Sequence, residues 1–183
     1  MIEFRGNSIK LQIWDSAGQE RYKALIPSYV RGASVIFIVY DISSKNSFIN
    51  VETWINFIKQ VNTDDSLLVL CGNKTDLNRE VSSKESQILA EKNNMKFFET
   101  RAKNGHNINL MMYTAIAELP FFSQFEVDKE TLIKELEAIN SKNVQNSIYD
   151  VVKDKNDNNL KVTGQNETGA IVIVPRKKQG CGC

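Results

Sequence analysis

The chain has 183 residues, long enough for one domain with a sizeable core, and its 42% hydrophobic and 25% charged content is ordinary for a globular protein. Its 23 Lys and Arg nearly balance 22 Asp and Glu, so no overall field points to nucleic acid or to an acidic partner. No apolar run approaches the roughly 20 residues of a membrane span, MIEFRGNSIK lacks the apolar stretch of a secretory signal, and three cysteines, two of them in the last three positions, make no disulfide framework.

The first expected element is a strand over 9–14, where Ile9, Leu11 and Ile13 alternate with Lys10 and Gln12. Residues 2–5 are expected to pair with it through a turn at Gly6-Asn7. SVIFIVY, 34–40, is a continuous β-branched and aromatic run, the pattern of a strand buried on both faces. Phe48, Val51, Ile55 and Ile58 then share one face of a helix over 47–61. LLVLC, 67–71, reads as a second buried strand. Ser82-Ser83-Lys84-Glu85 has capping-box spacing and predicts a helix running towards Lys92. KFFET, 96–100, is the next strand, and Ile108, Met111, Met112, Ala115 and Ile116 line a helix that stops before Pro120. Strands alternating with helices predict an α/β fold with a mostly parallel sheet and right-handed crossovers.

Composition changes at Pro120. Residues 1–119 read as the globular body and 120–183 as a polar, mobile tail rich in Asn and Lys. Within the tail, Leu132, Ile133, Leu136 and Ile139 predict a short amphipathic helix, marginal without packing. Residues 140–168 are polar, and GAIVIVP, 169–175, is an isolated apolar island.

In open α/β sheets ligands sit at the carboxyl ends of the strands, and three polar clusters fall there. They are Asp15-Ser-Ala-Gly18-Gln19, Gly72-Asn73-Lys74-Thr75-Asp76, and Arg101-Ala102-Lys103. The Asp76 carboxylate can accept two parallel hydrogen bonds from the ring N–H and exocyclic amine of guanine. Adenine lacks that amine and would leave a buried acceptor unpaired. Asn73 can brace neighbouring loops, and the Lys74 stem can lie along the base. Taken alone, NKTD reads sooner as a solvated turn, and D-x-x-G as a plain strand-to-turn transition. The chemistry rests on their combination.

WDSAGQERY (14–22), SYVRGA, VYDIS, GNKTDL and ETRAK resemble a Rab small GTPase of the Ras superfamily over residues 2 to about 119, and IPSYVR leans towards the Golgi-associated subgroup. The resemblance implies a P-loop NTPase-type G domain that binds GTP or GDP with Mg²⁺ and hydrolyses GTP as a switch in vesicle traffic. Asp15 would contact Mg²⁺ through water, Gly18 would bring a backbone N–H to the γ-phosphate, and Gln19 would orient the attacking water. The Ala102 N–H would meet the guanine carbonyl, with Lys103 beside it. Trp14, Arg21, Tyr22 and Leu25 would belong to an effector surface. Implied partners are an exchange factor, a GTPase-activating protein, an escort or GDI-type protein and effectors. For the patch GAIVIVP the resemblance implies contact with escort and extraction proteins, and a β-prone segment without function is the bland alternative.

Two departures stand out. Arg101 replaces the Ser of the family's Ser-Ala-Lys; Arg cannot accept a hydrogen bond, which predicts a looser base pocket unless the side chain is simply exposed. No G-x-x-x-x-G-K-[ST] occurs in the sequence. The expectation is an N-terminally truncated reading of a Rab, with Met1 an internal methionine or a wrong gene start and the first strand, P-loop, first helix and switch I missing. That first strand would lie between the strands at 9–14 and 34–40, so its loss predicts a gap with unpaired backbone on both sides.

The ending RKKQGCGC fails the C-a-a-X pattern and resembles the doubly prenylated Cys-x-Cys end of Rabs, with Cys181 and Cys183 carrying the lipids. One chain binds membrane marginally and two anchor stably, aided by Arg176, Lys177 and Lys178. A metal site wants about four ligands; lone His106 reads as surface and Cys71 as a small core residue. The expected place is the cytosolic face of endomembranes, at the Golgi or transport vesicles. Three functions remain open: a prenylated GTPase, a nucleotide-free Rab-like binding module, and a truncated product without independent activity.

Overall fold

In the computed structural model the alternating apolar runs assemble into a five-stranded sheet with helices on both faces and a two-stranded hairpin beside it. The structure describes residues 2–5, 7–9, 11–16, 26–62, 66–125, 127–143 and 169–175. In chain order the elements are β1 (Ile2–Phe4), β2 (Asn7–Ile9), β3 (Leu11–Ser16), α1 (Ile26–Val30), β4 (Val35–Asp41), α2 (Lys45–Val61), β5 (Leu67–Asn73), α3 (Ser83–Lys92), β6 (Lys96–Glu99), α4 (Ile108–Ala117), α5 (Lys129–Asn143) and β7 (Gly169–Pro175). Every helix and strand expected from the sequence between residues 34 and 117 is present within a few residues of its expected span. Short α1 was not anticipated.

The large sheet has the order β3-β7-β4-β5-β6. β4–β5 and β5–β6 are parallel ladders, while β7 runs antiparallel to both β3 and β4. β3 therefore points the same way as β4, β5 and β6, and the sheet is an α/β sheet with one reversed strand. The expected gap between the strands at 9–14 and 34–40 does not occur. β7 fills it, with Leu11↔Pro175 to Ser16↔Ala170 on one side and Val35↔Ile173 to Val39↔Gly169 on the other. A β-branched run of this length supplies the backbone donors and acceptors that β3 and β4 would otherwise leave bare.

β4 and β5 divide their side chains between two cores. Ile36, Ile38, Tyr40 and Leu70 face α1, α2 and α3, where Val51, Trp54, Ile55, Ile58, Leu89 and Ala90 pack. Val35, Phe37, Val69 and Cys71 face the opposite layer with Met111, Ile116, Leu132 and Leu136. This strict period of two, buried on both sides, explains why these strands read as unbroken apolar runs. Cys71 is buried, as expected of a core residue; burial pushes its thiol up to about 11, with only partial relief from Thr100.

Caps fix the helix starts. Ser44 Oγ accepts the Ser47 N–H, so α2 begins two residues before its apolar face would suggest. At α3, Ser82 Oγ accepts the Glu85 N–H at 3.2 Å while Glu85 takes the Ser82 N–H at 3.0 Å, completing the box.

Residues beyond Pro120 contribute to this core. Leu132 and Leu136 of α5 are 2% and 0% exposed, packed in the α4-side layer. The helix thus owes its stability to a tertiary partner rather than to propensity. α5 also receives the hairpin: Phe4, fully buried, meets Phe122 and Phe125 edge-on at 5.3 and 5.1 Å, and Arg5 forks onto Glu135 at 3.1 and 2.7 Å. The hairpin pairs Ile2–Phe4 with Asn7–Ile9 and not with the expected strand over 9–14, most of which is β3 in the other sheet; it closes at Phe4↔Asn7, with Arg5 at φ 46, one residue earlier than the sequence suggested.

Gly72, near the end of β5, is a position only glycine suits. A Cβ there would lie 2.6 Å from Tyr40 Oη, 2.9 Å from its Cζ and 3.1 Å from Ile42 Cγ2. Tyr40 cannot yield easily, being 1% exposed with its hydroxyl bonded to Ser86. Gly72→Ala is expected to lose about 1–3 kcal/mol in urea denaturation. Adding Tyr40→Phe should recover part of the loss, because the nearest clash is with the hydroxyl.

Candidate functional site

The carboxyl ends of β3, β4, β5 and β6 share one edge of the sheet, and the polar clusters lie along it. Asn73 ends β5 and is half-buried; its Oδ1 accepts the Ala102 N–H at 3.0 Å and the Thr100 hydroxyl at 3.2 Å. Backbone bonds reinforce the junction, with Thr100 N–H donating to Gly72 C=O at 2.8 Å and Thr75 N–H to Thr100 C=O at 3.3 Å. One amide oxygen therefore holds the loop after β5 against the loop after β6. Asp76, Ala102 and Lys103 are exposed on this braced platform. Asn73→Ala would strip the acceptor from two donors, at about 1–3 kcal/mol. The Ala102 amide should then exchange its hydrogen faster than in the parent chain, which NMR reads directly.

Lys74 turns its side chain to the end of β4. Its φ of 66 is left-handed, a conformation that costs a non-glycine residue about 1–2 kcal/mol, and its ammonium donates to Asp41 Oδ2 at 2.6 Å. Asp41, at the end of β4, also accepts the N–H and hydroxyl of Ser43 at 2.9 and 2.7 Å. Burial pushes the Asp41 carboxyl up, but the bonds from Lys74 and Ser43 outweigh it and hold the group below the usual carboxylate range. Lys74 is thus pinned across the β4–β5 edge in this structure, its stem available to flank a flat ligand on that side. Sequence reasoning passes over Asp41 and Thr100. The signal for both was position, since Asp41 ends β4 and Thr100 directly follows β6 at the same edge.

The Arg101 side chain is half-buried rather than free on the surface, and its Nε is buried without a hydrogen-bond partner among the described residues. Its backbone pairs with His106 in both directions at 3.1 Å, closing the loop, and His106 itself is exposed. Burying that donor without a partner is a cost carried by the loop after β6.

Asp15 is exposed near the end of β3, separated from β5 by β7 and β4, which is three strand spacings or about 14 Å. Among the described residues no three His, Cys, Asp or Glu side chains converge to hold a metal ion. A single carboxylate suits an outer contact to Mg²⁺ through water, and it does not hold the ion alone. Trp14 stacks on Tyr29 at 5.0 Å and 22° while remaining 43% exposed, next to Ile13 at 44%. Gly18, Gln19, Arg21, Tyr22, Leu25, Cys181 and Cys183 lie outside the described residues.

This edge, with NKTD after a doubly buried strand and ETRAK after the next, is matched by the Ras family profile over residues 1–120. The chain belongs to the Ras family. Among its relatives, the Ras-related protein SEC4 of Candida albicans is 43% identical over 114 residues, 61% of this chain and 54% of that protein. The Ras-related protein Rab-11C of Dictyostelium discoideum is 47% identical over 110 residues, 59% of this chain and 49% of that one. The chain spans about half the length of the curated relatives it matches. Within the Ras family these similarities are to Rab-type members, and the α/β fold is that of a G domain without its N-terminal elements. None of the described helices is long and apolar enough to cross a membrane.

Proposed function

We propose that this Ras-family chain is a Rab-type guanine-nucleotide-binding protein of vesicle traffic, with the base bound at the braced edge between β5 and β6. The observation that carries this reading is the Asn73 amide oxygen, which clamps Thr100 and Ala102 and leaves Asp76 exposed beside them. Guanine would offer its ring N–H and amine to Asp76, lie along the Lys74 stem, and draw the Ala102 N–H, with Lys103 adjacent. The Ala102 N–H would exchange its bond to Asn73 for one to the base. GTP hydrolysis to GDP, with Gln19 orienting water, Gly18 against the γ-phosphate and Asp15 contacting Mg²⁺ through water, is the reaction proposed from the family. The proposed partners are effectors at Trp14, Arg21, Tyr22 and Leu25, an exchange factor, a GTPase-activating protein and an escort or GDI-type protein. Cys181 and Cys183 are the proposed prenylation points, for attachment to the cytosolic face of an endomembrane, with the Golgi favoured by IPSYVR. On this reading residues 120–183 divide into α5, which joins the body, and a following tail that carries the lipids.

A second reading has an observation of its own. β7 completes the sheet and the Ala102 N–H is already satisfied within the protein, so a nucleotide-free binding module is physically coherent. Guanine-nucleotide content of the purified 183-residue chain separates the two, together with thermal unfolding with and without GDP and Mg²⁺. Bound GDP and a GDP-dependent rise in melting temperature, absent with ADP, are expected. A cooperative transition indifferent to GDP would replace the first reading with the second, and aggregation would mark a fragment without independent activity.

A further inference from the structure

We propose that the groove between α2 and α3 is a self-association surface, and that its occupant is the same groove of a second copy of this chain. The observation is a pair of matched stripes. On α2, Lys45, Phe48, Ile49 and Glu52 follow one another at helical spacing; on α3, Glu85, Ile88, Leu89 and Lys92 do so with the charges reversed. The helices lie side by side in register, because Lys45 pairs with Glu85 at one end and Lys92 with Glu52 at the other. Between these ion pairs runs a groove of about 400 Å³ with an apolar floor, about two helical turns long.

Exposure sets this groove apart. Ile49 is 59% exposed and Ile88 55%, the two highest values among the exposed large hydrophobic side chains of the described residues, and they stand on opposite walls. A lone exposed Ile needs no explanation, whereas two across an apolar cleft mark a contact surface. Both lie off the buried faces of their helices, which carry Val51, Trp54, Ile55 and Ile58 on α2 and Leu89 and Ala90 on α3. The packing of the body makes little use of them.

The charge pattern selects the occupant. Each end of the groove carries one cation and one anion, so neither a strongly acidic nor a strongly basic ligand gains along its whole length. Around the four corners, Lys45, Glu85, Lys92 and Glu52, the signs alternate, and such a pattern is complementary to its own image. When two grooves meet about a two-fold axis crossing them, Lys45 meets the partner's Glu52 and Glu85 the partner's Lys92. About an axis running along them, Lys45 meets the partner's Glu85 and Glu52 the partner's Lys92. No corner faces its own sign in either case, and the apolar floors meet in the middle, as an isologous contact requires. The corner charges are exposed, so each pair is worth little; they set orientation, while Ile49 and Ile88 supply the apolar burial. Two short helix faces place the contact at the small end of specific interfaces, roughly 1,200 Å². The expected dimer is therefore weak, with a Kd on the order of 100 µM.

Sedimentation equilibrium of the full chain in reducing buffer, from about 5 to about 500 µM, reads the association. The average mass of the parent should rise towards that of a dimer. Ile49→Glu with Ile88→Glu sets carboxylates face to face and should weaken association about tenfold or more. Its melting temperature should not change, because both positions are exposed. Ile49→Lys with Ile88→Lys should behave the same way alone. An equal mixture of the two variants should associate more tightly than either, since opposite charges then meet. A parent that stays monomeric overturns the proposal; a melting temperature that falls in the Glu variant of such a monomer would hand the groove to another segment of the same chain. Undiminished association in the Glu variant moves the dimer to a different face, and a mixture no tighter than its components refutes the groove-to-groove arrangement. The readout is mass alone, independent of guanine binding at Asp76.

Discussion

Leu136→Ala is expected to destabilise the chain by about 2–5 kcal/mol, the range for emptying a fully enclosed leucine site. Leu136 is 0% exposed although it lies in a segment whose composition reads as a mobile tail. It packs with Leu132, Met111 and Ile116 in the layer that also takes Phe4. Truncation would leave a cavity between α4 and α5 and loosen the seat of the N-terminal hairpin. Urea denaturation followed through Trp14 and Trp54 fluorescence measures it. A change of less than about 0.5 kcal/mol, the size of an ordinary surface substitution, would mean that α5 is not docked in solution.

Asp76→Asn should weaken GDP binding about 100-fold while leaving the urea midpoint where it was. The carboxylate can accept from both the ring N–H and the amine of guanine. An Asn amide keeps one acceptor and sets its NH₂ against a donor. Losing one bond to a charged group costs about 1.5–3 kcal/mol, which is the source of the expected factor. The change should be smaller for an inosine nucleotide, whose base has no exocyclic amine, so the variant narrows the guanine-over-hypoxanthine preference. Because Asp76 is exposed, a fall in stability accompanying the loss would implicate loop collapse instead of base recognition. Equal GDP affinity in parent and variant would remove Asp76 from the site.

Much of the edge that carries this chemistry is legible in the sequence, since its components are local. The doubly buried runs at 35–41 and 67–73 are set by side-chain alternation within seven residues, and the Ser82–Glu85 box by a three-residue spacing. The placement of NKTD after one strand and ETRAK after the next follows from the same reading. Its internal wiring is not legible. That Asn73 accepts from both Thr100 and Ala102, and that Lys74 turns to Asp41, depends on which loops meet across parallel strands.

By itself, then, the sequence determined the order and type of the central elements, the α/β class and the Ras-family character. Each is encoded in periodicity, caps or motifs spanning a few neighbouring residues. Only the tertiary structure decided what becomes of the apolar groups after Pro120. Leu132 and Leu136 count as core because α4 offers them a surface. GAIVIVP becomes the strand beside β3 because its backbone pairs with β3 on one side and β4 on the other, more than a hundred residues away. Local patterning shows that such a segment can be a strand. Which edges it joins, and in which direction, is settled by backbone pairing across the whole chain.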